Sequence, residues 1–233
     1  DMNNVLRREG KTPVMEVYSP PRVDALARMW GIMPGMSLDL TSVDPEDGMP
    51  WNFNIAEKRD KAEALVAKGS AMLIIGSPMC SAFSQLQALN WRRFGPEKVN
   101  KMMRDGTRHL RFCAKLYRIQ MEQGLYFIHE HPAHARSWQD PEIDQLVRDY
   151  RVRTVVRNMC MFGMTQEVEG SSGLVKKDTR FMTNATMIAE RLNKVCDKTH
   201  RHVPLIGGRA RKAQIYPEEL CAQILRGLMN QLR

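Results

Sequence analysis

The sequence predicts an α/β protein, with a mostly parallel sheet covered by helices on both faces. Three observations lead there. Short, mainly apolar runs at Val14–Tyr18, Ala71–Gly76 and Leu125–His129 have the length and composition of strands buried on both sides. Between them lie longer stretches with helical periodicity, above all Ala56–Lys68 and Pro96–Gln123. Glycine and proline punctuate the joins, and strands alternating with helices are the pattern of parallel sheets.

Taken in order, residues 1–12 are polar and charged and predict a flexible, frayed N-terminal segment. The run Val14–Tyr18 is stopped by Ser19-Pro20-Pro21, after which a helix fits Val23–Trp30 with Leu26, Ala27 and Trp30 on one face. A second strand is expected at Met36–Leu40, carrying Asp39 at its end. The segment from Asp44 to Asn54 reads as irregular and holds Trp51 and Phe53. Ala56–Lys68 is amphipathic and closes at Gly69, a C-terminal helix stop. Beyond the long basic helix, which ends at Gly124, Asp140-Pro141 opens a helix running through Tyr150, with proline in its first turn. Arg151–Val156 and Arg180–Thr183 read as later strands, and Glu169–Gly173 as a mobile loop. Residues 13–233 are expected to form one domain, with about 185–233 as a small C-terminal extension.

Composition narrows the function classes. The 233 residues suit one α/β domain. No apolar stretch is long enough to span a bilayer, and the polar N-terminus has no signal-peptide pattern. Thirty-five basic against 26 acidic residues, a net charge of +9, favour a polyanionic partner such as DNA or RNA. Five cysteines, an odd number, argue against a disulfide framework and for a reducing compartment, nucleus or cytoplasm.

Two strand ends carry chemistry. Leu73–Ser84 runs from an apolar strand into a proline-bounded turn presenting Cys80 among Ser77, Ser81 and Ser84. Buried free cysteine is ordinarily a small hydrophobe, but a turn of exposed backbone amides favours the thiolate. The later strand ends in His129-Glu130-His131-Pro132, presenting Glu130, whose plain alternative is a salt-bridged strand end. Both groups open onto the rim where doubly wound sheets place ligands.

A third constellation, Cys160 with Cys196, His200 and His202, offers two thiols and two imidazoles to a metal such as structural zinc. Without a paired Cys-x-x-Cys, the alternative is a loop held by ordinary hydrogen bonds. Basic residues recur at near-helical spacing: Arg92, Arg93, Lys98, Lys101, Arg104, Arg108, Arg111 and Lys115. A flexible basic segment follows at Gly207–Lys212. They read either as a phosphate track beside the Cys80 turn or as a solvated helix face.

Residues 76–84, Gly-Ser-Pro-Met-Cys-Ser-Ala-Phe-Ser, resemble the Gly-x-Pro-Pro-Cys-x-x-Phe-Ser signature of the cytosine-C5 DNA methyltransferases, and Glu130-His-Pro resembles their Glu-Asn-Val/Pro motif. Val14–Arg22 falls where that family has its first strand and cofactor loop, Asp39 on the acidic end of its second strand, and Trp51-Asn-Phe-Asn54 on its adenine-contacting segment. Lys177–Asn184 resembles a strand of methyltransferase-like proteins encoded near mobile elements. The resemblance implies a Rossmann-like SAM-dependent methyltransferase fold. It also implies S-adenosyl-L-methionine as cofactor, held by Tyr18, Ser19, Pro20, Asp39, Asn52, Phe53, Ser77 and Pro78. Cys80 would be the nucleophile and Glu130 the group assisting a flipped cytosine. Arg92, Arg93, Arg104, Arg108, Lys177 and Arg180 would meet nucleic acid.

The departures are specific. Ser19-Pro-Pro-Arg22 replaces a glycine-rich loop, Met79 a proline and His131 an asparagine. The family's paired-arginine motif has no clear counterpart, Arg180 or Lys177 being the nearest substitutes, and few residues follow Asn184 for a target-recognition domain. Two rivals stay open: an inactive module that binds nucleic acid, and a methyltransferase acting on RNA.

Overall fold

The structure, a computed structural model, describes residues 1–84, 91, 93–168, 171–205 and 213–233. Its centre is a six-stranded sheet formed by β1 (Thr12–Val17), β2 (Met36–Leu38), β3 (Ala71–Gly76), β4 (Tyr126–Pro132), β5 (Arg153–Asn158) and β8 (Asp178–Thr183), in the order β2-β1-β3-β4-β8-β5. The first four spatial neighbours are parallel, while β8 runs antiparallel to both β4 and β5. The mixed α/β sheet is therefore mostly parallel and compatible with a Rossmann-like fold.

Alternation along the strands builds two cores. Val14, Leu73, Ile75, Ile128 and Phe181 face one side, under α1 (Met2–Glu9), α2 (Val23–Met29), α6 (Thr186–Arg191) and α7 (Glu218–Gln231). Met15, Val17, Ile74, Phe127 and Met182 face the other, under α3 (Ala56–Ala67), α4 (Pro96–Glu122) and α5 (Pro141–Val147). Period-two alternation divides consecutive apolar residues between the layers, which is why these strands read as unbroken hydrophobic runs.

Several expectations are corrected. Residues 2–9 form a helix instead of a frayed segment: Asp1 caps it through the Asn3 amide, Gly10 (φ 63°) ends it, and Met2 and Leu6 are buried one turn apart. The C-terminal residues are integral to the core. Ile188 and Leu192 pack with Leu220, Ile224, Leu225 and Leu228 of α7, and Gly227 lies so close to Ile188 that a β-carbon would collide with its backbone. β2 ends two residues early, at Leu38, and α5 stops at Val147, short of Tyr150. β5 runs from Arg153 to Asn158 and β8 begins at Asp178. Of the segment expected to be a mobile loop, residues 171–173 belong to β7 (Ser171–Leu174), paired antiparallel with β6 (Thr165–Val168), and Glu169 and Gly170 lie outside the described residues. Arg92 and the basic residues at 207–212 lie outside the described residues.

Candidate functional site

The chain order reverses across the sheet at β1: β2 lies on one flank and β3 on the other. Such a switch point opens a crevice at the carboxyl ends of the strands. A cavity of about 460 Å³ occupies that place, within the usual range of roughly 300–1,000 Å³ for small-molecule sites. Its walls include Tyr18, Ser19 and Pro20 after β1, Asp39 after β2, and Ser77, Pro78 and Cys80 after β3. Glu130 from β4, Asn52 and Phe53 from the irregular segment, and Lys177 complete them. Every residue expected to touch the cofactor, both expected catalytic groups and Lys177 thus share one cavity.

The β1 turn manages without glycine. Tyr18 takes the left-handed conformation (φ 64°) that a glycine would adopt freely. Its ring packs on Phe53 at 4.9 Å between centroids, and its hydroxyl lies 2.9 Å from His109 Nδ1. His109 Nε2 is 3.1 Å from the Asn54 side-chain oxygen. Because that oxygen only accepts, Nε2 carries the proton and Nδ1 accepts from Tyr18. Burial and the neighbouring Arg108 push the His109 pKa down, keeping the ring neutral. Behind the turn, the buried Glu16 carboxylate accepts from the amides of Arg22 and Asp24, at 2.9 Å each.

The Trp51–Asn54 wall is anchored by charge. Buried Asp44 meets Lys58 and Lys61 at 2.7 Å, and both ammonium groups lie over the Trp51 ring. Burial alone would raise the Asp44 pKa, but the two lysines outweigh it and hold the carboxyl at about 2. Asp39 Oδ1 accepts from both the amide and the hydroxyl of Thr41, which fixes the carboxylate at the cavity edge.

Cys80 and Glu130 are locked together through their neighbours. Tyr117 fills the space where a side chain on Gly76 would stand, and its hydroxyl is 2.9 Å from His129 Nδ1. His131 Nε2 lies 2.8 Å from the Pro78 carbonyl, to which it donates, and Nδ1 lies 2.6 Å from the Ser137 hydroxyl, from which it accepts. One buried imidazole therefore ties the Cys80 turn to the strand carrying Glu130. Lys177 Nζ is 3.3 Å from Glu130 Oε1 and 3.3 Å from the Ala213 carbonyl. Burial raises the Cys80 pKa, the Glu130 charge raises it further, and Lys177 opposes both. The thiol rests protonated, beside a carboxylate and an ammonium group.

Arg180 lies outside the cavity wall, its guanidinium 4.3 Å over the Trp138 ring. Arg93 is exposed. On α4, Lys101, Arg104, Arg108, Arg111 and Lys115 are exposed at spacings of three and four, a single stripe. Four of them meet carboxylates: Lys101 and Arg108 pair with Asp105, Arg111 with Asp140 and Lys115 with Glu63. The stripe is thus less positive than its residue count, and Arg104 is the one of the five that pairs with no carboxylate among the described residues. α4 reaches the cavity through His109 and touches the Cys80 turn at Gly106, where a β-carbon would collide with Ala82.

The sequence reading missed His109, Gln214 and Tyr216 as cavity residues. Tyr216 is buried, and its hydroxyl lies 2.7 Å from the Ser77 hydroxyl. His109 stands more than three turns into a long basic helix, and Tyr216 lies in the loop before the C-terminal helix, so neither carries a local signal.

The four expected metal ligands also come together. One ligand atom each from Cys160, Cys196, His200 and His202 lies within 4.8 Å of every other. The chain therefore contains a Cys/His cluster capable of holding a metal. All five cysteines are unpaired thiols. No helix among the described residues is long and apolar enough to cross a membrane. Comparison with protein-family models and with curated proteins finds no match to this chain.

Proposed function

We propose that the protein is a S-adenosylmethionine-dependent methyltransferase that modifies carbon 5 of cytosine in DNA. The observation that carries this reading is the shared cavity. A thiol and a carboxylate from the ends of β3 and β4 line the same cleft as the switch-point crevice beside β1. The resemblance at residues 76–84 and 130–132 supplies the chemistry those groups would perform.

The residues present fit the cofactor. An aromatic wall of Phe53 and Trp51 suits an adenine ring, Asp39 is placed to accept from ribose hydroxyls, and the positive φ of Tyr18 stands in for the glycine of a cofactor loop. When bound, S-adenosylmethionine supplies an electrophilic methyl group. The protein's own part begins with a cytosine turned out of the base stack. As the Cys80 sulfur bonds to carbon 6, its proton passes by way of the Glu130 carboxylate to N3, so that Glu130 accepts a hydrogen bond from the N3 proton and offsets the charge that develops in the ring. Carbon 5 would then take the methyl group, the methyl–sulfur bond of the sulfonium breaking to leave a neutral thioether. Loss of the carbon 5 proton to water drives out the Cys80 sulfur as thiolate, and return of the N3 proton to Glu130 restores the ring. Lys177 holds Glu130 in place and lowers the cost of a thiolate nearby.

An oligonucleotide carrying 5-fluorocytosine tests the whole sequence, because fluorine cannot leave as a proton does. We expect a covalent complex in intact-mass spectra that requires the cofactor and is absent in Cys80→Ser, while that variant keeps its fold and cofactor binding. An adduct formed equally by Cys80→Ser would overturn the covalent step. Failure of millimolar cofactor to give heat or thermal stabilisation would favour the inactive nucleic-acid-binding module, whose supporting feature is the Ser19-Pro20-Pro21 turn. Adduct formation with RNA in place of DNA would move the substrate class.

A further inference from the structure

The Cys/His cluster lies on the antiparallel side of the sheet, and nothing in the methyl-transfer reading uses it. We propose that Cys160, Cys196, His200 and His202 bind one zinc ion that staples residues 193–205 onto the wall carrying Lys177.

All four donor atoms lie within 4.8 Å of one another, and two of their spacings match those of a tetrahedral site. Cys196 Sγ lies 3.5 Å from His202 Nε2 and 3.7 Å from His200 Nε2. Zinc–sulfur bonds of about 2.3 Å and zinc–nitrogen bonds of about 2.0–2.1 Å set a sulfur-to-nitrogen edge of about 3.5 Å in a tetrahedron. The two imidazoles meet edge to face at 4.7 Å between centroids, and both turn Nε2 toward the Cys196 sulfur. Two thiolates cancel the charge of a divalent ion, so binding releases the two thiol protons and leaves no net charge beside the buried sulfurs. With four protein ligands and no open position, the site is structural. Two soft thiolates with two imidazoles in tetrahedral array favour zinc over harder, oxygen-seeking cations.

The surroundings are built for ligation. The Lys198 amide points at Cys196 Sγ at 3.4 Å, and Lys198 itself takes φ 62°, the sharp turn that brings His200 back over the sulfur. Asp197 Oδ1 is 3.7 Å from His200 Nδ1, on the ring's far side from the cluster, where an outer-shell carboxylate orients a ligating histidine. Asp197 Oδ1 also accepts from the Thr199 amide and hydroxyl, which stiffens the turn.

The cluster joins three stretches of chain. Cys160 follows β5 in a short 3-10 turn closed by Gly163. The Cys196 amide donates to the Asn158 side chain, and Asn158 in turn donates to Asp178. His202 pairs with Leu174 of β7, and the Val203 amide donates to the Leu174 carbonyl. The Met159 amide, next to Cys160, donates to the carbonyl of Lys177, whose side chain reaches Glu130. The metal would thus hold the backbone from which Lys177 enters the cavity.

The test reads metal directly and is independent of any methyl transfer. Untagged protein, purified without chelator from zinc-supplemented medium, is expected to carry one zinc per chain. Cobalt(II) exchanged into it should give the intense visible bands of a tetrahedral site and a thiolate charge-transfer band. Cys196→Ser and His202→Ala should lose stoichiometric metal. Because either variant could fail to fold, the wild-type protein is also stripped with chelator and followed by hydrogen exchange. Faster exchange at 174–178 and 194–204, with β1 and β3 still protected, supports the staple. Protein that neither contains zinc nor takes up cobalt overturns it. So does a Cys160–Cys196 disulfide in the metal-free protein as purified, or unchanged exchange after stripping.

Discussion

Two sites in this molecule are built around cysteine, and what surrounds the sulfur separates them. In the cavity at β3 and β4, Cys80 is the one thiol, faced by a carboxylate and an ammonium group, with its turn fixed by His131 and Tyr117. In the antiparallel half, Cys160 and Cys196 converge with two imidazoles. A lone thiol between opposite charges can exchange its proton and attack a substrate, which suits a nucleophile. Two thiols and two imidazoles converging on one point leave little room for a substrate and suit an ion. Histidine divides the same way: His131 is consumed by the Ser137 hydroxyl and the Pro78 carbonyl, whereas His200 and His202 turn Nε2 toward sulfur. Residue type alone would have placed both sites in one class.

The sharpest way to break the comparison is Glu130→Gln. If the carboxylate offsets charge in the activated ring, turnover should fall by at least about a hundredfold, the scale for losing one such group. The same change should affect Cys80 in the opposite sense. Burial and Glu130 both raise the thiol pKa, so alkylation by iodoacetamide increases with pH only above the ordinary thiol range. Without the carboxylate charge, the rising limb should move to lower pH. Slower turnover together with an unmoved alkylation profile would separate Glu130 from Cys80. The thiols of Cys160 and Cys196 should show no response to this substitution.

His131→Ala comes next, since it removes the link between the two halves of the cavity. Two buried hydrogen bonds are lost, and the Ser137 hydroxyl and Pro78 carbonyl are left unpaired. That should cost about 3 kcal/mol of stability in denaturant unfolding. His131→Asn should recover part of it, since an amide can both donate and accept. Equal losses for the two variants would mean the ring acts by packing alone.

The parallel half of the fold was legible because each buried strand is a continuous apolar run whose residues divide between two cores, as Leu73 and Ile74 do. The cavity was legible where its residues follow strands, as Ser19, Asp39 and Cys80 do, or stand near a strand's end, as Glu130 does in β4. It was illegible where a residue arrives from a distance. Tyr216 and His109 meet Ser77 and Tyr18 across 139 and 91 positions of sequence, and no local pattern encodes such a pairing. The first helix failed to register because its burial rests on Met2 and Leu6 alone. The C-terminal helix carries a clear stripe of Leu220, Ile224, Leu225 and Leu228, and it went unassigned because the last stretch was read for its charges and ligands. The charge of the basic stripe was only partly legible: carboxylates contributed by Asp140 and Glu63 offset part of it from outside the helix.

Asp39→Ala tests the cofactor side of the cleft. If Asp39 accepts from the ribose hydroxyls as proposed, its loss should weaken S-adenosylmethionine by about 1.5–3 kcal/mol in calorimetric titration. Thr41 also loses the acceptor of its amide and hydroxyl, so Thr41→Val is the control for disturbance of the turn. Matching losses in both variants would place the effect in the turn and take Asp39 out of direct contact.

The smallest expected effect concerns the basic stripe. Arg104 stands between the paired Lys101 and Arg108, so its charge is offset less than theirs by neighbouring carboxylates. If it meets a backbone phosphate, Arg104→Glu should weaken all DNA sequences alike, by a few-fold at low salt. The slope of log affinity against log salt should also fall by about one phosphate equivalent. Lys101→Glu should do less, because the same Asp105 carboxylate already holds that ammonium at 3.0 Å and shares in Arg108. The contrast between the two variants is the informative quantity, since both add equal negative charge to one helix face. Equal weakening would mean that DNA responds to the overall charge of the domain, and the stripe on α4 would then lose its claim to be a track leading to Cys80.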